Sequence, residues 1–288
     1  MVSSTYVPPL LRPFQRIRSS ATAPRDWLAR IGHQVFFFLR SIGSMPLAFK
    51  HYPKEVWRLL SDVTWGNGNI VVGGGTIGVV LILSAFGGMT VGIQGYNSLN
   101  LLGLGPITGA VSAFATTREL GPMLATVAFA SQAGCRFTAQ LGAMRISEEI
   151  DALESQAIRP LPYLVSTRMI AAMIAIIPLY CLALPFAYIT CSLTVQLIGG
   201  TATGTFQHYF YQFLVPHDVL WSLLKAIVFV AITTFIQCYY GFFASGGPEG
   251  VGVAAGRAIK LCIIAVVFAD LFITLAVWGI NPGIRISG

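Results

Sequence analysis

Charge is what this sequence has least of. Asp, Glu, Lys and Arg make up 10% of its 288 residues, while 55% are hydrophobic, and the mean hydropathy is +0.72. A soluble domain carries about 25% charged residues. The composition therefore excludes a water-soluble globular protein and indicates an integral membrane protein. Other absences narrow the field. No continuous apolar run begins before about Ile70, too late for the apolar core of a secretory signal peptide. The four histidines (His33, His51, His208, His217) show no metal-ligand spacing. Cys135, Cys181, Cys191, Cys238 and Cys262 are odd in number and widely spaced, and read as small hydrophobes in helices. No Ser/His, Cys/His or metal constellation supports an intramembrane enzyme. The sequence also has no Gly-Lys-Ser/Thr, after Gly73-Gly74-Gly75 or anywhere else, so ATP used on its behalf must be bound by another chain.

What is present is organised by hydropathy. Residues 1–24, rich in Pro, Ser, Thr and Arg, read as a disordered basic tail. Over 25–64, Trp27, Leu28, Ile31, Val35, Phe38, Leu39 and Ile42 recur at helical spacing, then Val56, Trp57, Leu59 and Leu60, with Pro46 and Pro53 between them. This pattern suggests amphipathic helices lying in the membrane interface; helices packed on the protein itself are the alternative. Five apolar stretches follow, near 70–93, 106–131, 169–198, 219–243 and 258–279, each exceeding the roughly 20 residues needed to cross a bilayer. Pro178 and Pro185 interrupt the long third one, where a kink or tilt is expected. The predicted architecture is all-α: interfacial helices, five transmembrane helices over 65–288, and a short cytoplasmic helix between the second and third spans.

The +7 formal charge is not a nucleic-acid signal, because the basic residues flank apolar spans. Arg12, Arg16, Arg18, Arg25, Arg30, Arg40, Lys50, Lys54 and Arg58 precede the first span. Arg136, Arg145, Arg159 and Arg168 lie between the second and third, whereas connections 94–105 and 199–217 hold no Lys or Arg. The positive-inside rule then gives a cytoplasmic N-terminus and a C-terminus on the far side.

Four of the eleven acidic residues, Glu148, Glu149, Asp151 and Glu154, crowd between the second and third spans. Projected on a helix, 146–157 places Ile146, Ile150, Leu153 and Ala157 on one stripe and the acids opposite. Ser147 is the expected N-cap, Arg159 sits near the end and Pro160 is the expected stop. The segment reads as a docking surface for a soluble partner or, more plainly, as a solvated linker face. Within the spans lie Arg118, Glu119, Lys225 and Asp270. Arg118, Glu119 and Asp270 are expected near mid-depth, with Lys225 nearer the outer end and able to snorkel. They form either an ion-pair network or a contact for a polar ligand group. Glycines dense in the first span and around the fifth suggest close helix packing.

Several of these residues carry a resemblance. Arg118-Glu-Leu-Gly-Pro122, Gln132-Ala-Gly134, Thr138-Ala-Gln-Leu-Gly142, Arg145, then Glu148-Glu-Ile-Asp-Ala-Leu153 and the late Gly241, Gly246, Gly247, Gly250 and Gly252 occur in one order. Over about 65–280 the chain resembles the MlaE/YrbE permeases of lipid-transporting ABC systems. The basic N-terminal region makes it most similar to actinobacterial, Mce-associated YrbE subunits. The resemblance implies a multi-pass inner-membrane permease, without enzyme activity or a cofactor of its own. Implied partners are a second, non-identical YrbE-type permease, a cytoplasmic ATPase dimer holding ATP and Mg, periplasmic Mce proteins and a lipid. It matches the acidic segment to a coupling helix, with Arg145, Glu148, Glu149, Asp151 and Glu154 as ATPase-docking residues. Arg118, Glu119, Lys225 and Asp270 match charged positions of the membrane core. Gln132 stands where many relatives have Arg, and Gln140 where many have Glu, which points to a missing salt bridge. The expected function is ATP-driven import of fatty acids or related cell-envelope lipids. The alternatives are an ion-driven secondary transporter using Glu119 and Asp270, or a scaffold anchoring Mce proteins.

Overall fold

The computed structural model describes residues 32–65 and 75–279. The tail 1–24, the first residues of the expected interfacial region and Gly73–Gly74 lie outside them. Residues 32–43 form one helix, α1, with Val35, Leu39 and Ile42 exposed along one side. It belongs to a separate compact unit from the rest of the chain, which begins at Ser44.

In the larger unit, α2 (Met45–His51) and α3 (Pro53–Trp65) each carry their proline at the start. The expected interruptions are thus helix beginnings, where a missing N–H costs nothing. Part of the apolar stripe of α3 packs on the protein itself: Val56 and Leu59 are buried against Ala171, while Trp57 stays exposed. A T-shaped Tyr52–Tyr163 contact at 5.0 Å and a Ser44–Ser166 hydrogen bond of 2.9 Å fasten the start of this region. Arg58 and Glu55 pair across one turn on the outside, and Glu55 raises the guanidinium pKa.

Among the described residues, four helices are long and apolar enough to cross a membrane: α4 (Gly75–Asn100), the rod 161–199 that contains α9 (Thr167–Gly199), α11 (Pro216–Phe242) and α12 (Gly247–Trp278). The expected second span is helical but subdivided. It runs through a 3₁₀ turn at Gly105–Ile107, α5 (Thr108–Val111), a π-helical stretch Ser112–Leu120, α6 (Gly121–Phe129), a second π turn Ala130–Gly134 and α7 (Cys135–Ile146). Pro122 follows the first π stretch, where it cannot donate an N–H to the Arg118 carbonyl and crowds that oxygen. The short α8 (Glu149–Ser155) follows α7. On the opposite end, α10 (Thr203–Phe213) caps the bundle and packs on α5.

Close helix–helix packing follows the glycines of α4; in α12 the tight glycine, Gly250, meets the Ser245 carbonyl just before that helix. A Cβ on Gly88 would overlap the Ala187 carbonyl of α9, and one on Gly92 would press on Cys191 and Thr194. Gly252 and Gly256 face open space, and Gly246 and Gly247 take positive φ at the start of α12. Half of the most apolar window of 161–199 is buried, against 11% for α12. Helix α9 is therefore the central strut, and α12 presents Ile263, Ile264, Val267, Phe268 and Phe272 outward.

Candidate functional site

Two clusters lie along the long helical path 105–146, one around Arg118 and Glu119 and one at its Ile146 end. The interior charges converge in the first, toward the start of α11 and the end of α12. Lys225 is 1% exposed. Its ammonium lies 2.6 Å from Asp270 Oδ1 and donates to Glu119 Oε2 (3.1 Å), Thr274 Oγ1 (2.7 Å) and the Arg118 carbonyl (2.8 Å). The three N–H bonds match the three hydrogen-bond acceptors, and Asp270 Oδ1 is held as an ion-pair contact without a hydrogen bond. The Arg118 carbonyl is the one Pro122 cannot reach, and the lysine takes over that bond. Thr274 in turn donates to Glu119 Oε1 at 2.9 Å.

Arg118 does not join this lysine-centred group through its side chain. Its guanidinium donates twice to Asp218 Oδ2, at 2.9 and 2.7 Å, and lies over the rings of Phe114 (4.7 Å) and Trp278 (5.2 Å). The Trp278 indole N–H donates to the other Asp218 oxygen at 2.9 Å. An unpaired intramembrane charge costs on the order of 3 kcal/mol or more, and here each charge meets an opposite one. The network holds three carboxylates and two cations. Glu119 is its most open member, with 39% of its side chain exposed.

Sequence reasoning placed Arg118, Glu119, Lys225 and Asp270 in the membrane core, and the fold brings all four together. One expectation needs correction. Lys225 does not snorkel outward, because Asp270, Glu119, Thr274 and a carbonyl hold its ammonium inside. Asp218, Thr274 and Trp278 were not singled out. Asp218 sits in Pro216-His-Asp, a polar stretch just before an apolar run, and Trp278 reads as an ordinary interface aromatic.

At the Ile146 end lies the acidic segment, differently built from the continuous 146–157 helix expected. Helix α7 runs through Ile146 and is capped by Ser147, whose N–H bonds Ala143 O at 2.9 Å. Glu148 adopts φ 59°, breaking the path, and α8 covers only Glu149–Ser155. Ser147 therefore ends one helix instead of capping the next. Ala157, at φ 61°, comes after α8 has ended, so neither Arg159 nor Pro160 terminates it. The amphipathic division survives in shorter form. Ile150 is buried, Leu153 is partly buried, and Glu148, Glu149, Asp151 and Glu154 are all exposed. Arg145 reaches from α7 to Asp151 at 2.7 Å, and Ser147 Oγ lies 3.0 Å from Glu149 Oε1.

Gln140 accepts a 3.3 Å bond from Arg168, an arginine only 6% exposed that makes no ion pair among the described residues. Gln132 is exposed on the second π turn.

The profile of the family described as Permease MlaE matches residues 68–276. The chain belongs to the MlaE permease family. Among similar proteins, a probable ABC transporter permease protein of Rickettsia prowazekii is 31% identical over 71% of this chain and 79% of its own length. The intermembrane phospholipid transport system permease protein MlaE of Haemophilus influenzae is 26% identical over 88% of this chain and 98% of its own. The chloroplastic protein TRIGALACTOSYLDIACYLGLYCEROL 1 of Arabidopsis thaliana is 31% identical over 69% of this chain, which spans 57% of that protein's length. Every charged residue of both clusters lies within the MlaE-matching region, with Trp278 just beyond it, and this MlaE-family chain is a multi-pass membrane protein.

Proposed function

We propose that this chain is the permease subunit of an ABC-type lipid transporter driven by a separate ATPase. One observation carries the reading: carboxylates exposed on a short helix clamped to the end of α7, in a chain without a phosphate-binding loop. From Ile146 the helical path leads back to the Arg118–Glu119 pair over about 40 Å of helix. Force on α8 reaches α7 through the Arg145–Asp151 pair and from there the lysine-centred network. Glu119, the open carboxylate, is the member available to a polar lipid headgroup.

The finer reading gives five spans, with the subdivided 105–146 path as the second. It puts the N-terminus and acidic segment in the cytoplasm and the C-terminus beyond the inner membrane. Charge asymmetry between connections supports this. A second YrbE-type permease and Mce proteins complete the complex, and fatty acids or related envelope lipids are its cargo. The basic N-terminal region and the outward apolar face of α12 support these partners.

The docking claim is tested by reversing Glu148 and Glu154 together to Lys. Asp151 is spared because it holds Arg145. Co-purification of the ATPase should be lost while the permease stays monodisperse. An intact complex that still transports lipid would remove the claim.

A further inference from the structure

A groove of about 300 Å³ runs between α3 and α9, lined by Trp57, Leu60, Ser61, Thr64, Ile174 and Pro178. It shares no residue with the charge network or the acidic segment. Its two walls advance in the same direction: Val56 and Leu59 meet Ala171, then Leu60 to Thr64 face Ile174 and Pro178. The lower-numbered end of α3, which carries Lys54, Glu55 and Arg58, is the more polar end, and Pro178 stands at the other.

Three features describe what fits there. The lining is apolar except for the Ser61 and Thr64 hydroxyls and the Trp57 indole N–H. Because Pro178 has no N–H, the Ile174 carbonyl lacks its usual donor one turn on, a costly state in hydrocarbon. At the polar end Lys54, Trp57, Arg58 and Ser61 share the exposed face of α3 at helical steps, and Lys50 precedes them at the end of α2. Trp57 is 66% exposed, and a large amphipathic ring beside lysines is the usual furniture of a lipid headgroup layer. Glu55 pairs with Arg58, Asp62 adds a second negative charge near Arg58, and Lys50 and Lys54 make no ion pair among the described residues, which leaves the two lysines for an anion. A purely apolar occupant would not use them.

We infer that this groove holds one anionic glycerophospholipid as a resident ligand, separate from the transported lipid. One acyl chain lies between α3 and α9, the glycerol region lies by Ser61, and the phosphate sits at Lys54 and Lys50. The site goes beyond the transporter reading and depends only on the chain's being embedded in a bilayer.

The test uses the full chain in nanodiscs without ATP or ATPase. Nanodiscs contain phosphatidylglycerol or phosphatidylcholine with a photoreactive acyl chain, and labelled peptides are mapped by mass spectrometry. Phosphatidylglycerol should label 57–64 and 174–178 at least tenfold more than phosphatidylcholine, each nearby lysine contributing about fivefold. Lys50→Glu with Lys54→Glu should erase that preference, and Ser61→Trp should remove labelling at the groove with either lipid. Equal labelling by the two lipids in the unaltered protein, or labelling indifferent to Ser61→Trp, overturns the site. If Ser61→Trp does not purify as a monodisperse protein, the lysine reversal at exposed positions decides. Loss of ATPase docking by the Glu148 and Glu154 variant would leave this labelling unchanged, so the two readings fail separately.

Discussion

Lys225 shows how one side chain can organise a membrane core. A lysine in hydrocarbon is expensive unless paired, and this one serves two carboxylates, a hydroxyl and a carbonyl orphaned by proline. Removing one partner of a buried ion pair typically costs about 3–5 kcal/mol, because the other charge stays behind unpaired. Lys225→Met should therefore lower the Tm of the purified protein markedly. Adding Asp270→Asn should recover part of the loss, since one stranded carboxylate is then neutral. A double variant as unstable as the sum of both single changes would mean that Lys225 and Asp270 do not interact.

At the scale of the element, the informative places are where a helix stops or comes too close. Glu148 holds a left-handed backbone without being glycine, a conformation that costs about 1–2 kcal/mol. Glu148→Gly should raise the Tm by relieving it while removing one docking carboxylate, so stability and ATPase retention should move in opposite directions. A lowered Tm would show that the side chain itself holds the turn. The α4–α9 contact makes a second case. Gly88→Ala pushes a methyl into the Ala187 carbonyl and should destabilise the protein, whereas Gly252→Ala, facing open space, should be neutral or slightly stabilising. Thermal melts of the two variants side by side check this. Periodicity located these elements but misjudged their joints. Apolar repeats cannot distinguish a continuous helix from two helices broken at Ser147 and Glu148, or an α turn from a π turn.

For the whole molecule, the two clusters define a working axis: carboxylates at one end, ion pairs at the other, and a single helical path between them. If that path transmits force, Lys225→Met should retain the ATPase on purification yet lose ATP-driven lipid transfer in proteoliposomes. Transfer at the unaltered rate would separate the network from transport. The sequence by itself determined that the protein lives in a membrane, where its long helices run and that it carries no phosphate-binding loop. These follow from composition and period, which are local properties of the chain. It also placed Arg118, Glu119, Lys225 and Asp270 among apolar residues, where charge must be paired. Only the tertiary structure decided the pairing. Arg118 went to Asp218, outside the apolar run, and Lys225 went to two acids at once, because contacts between distant helices depend on their rotation and relative height. Helix α3 makes the same point: α9 buries Val56 and Leu59 of its apolar stripe, while Trp57 of the same stripe stays exposed.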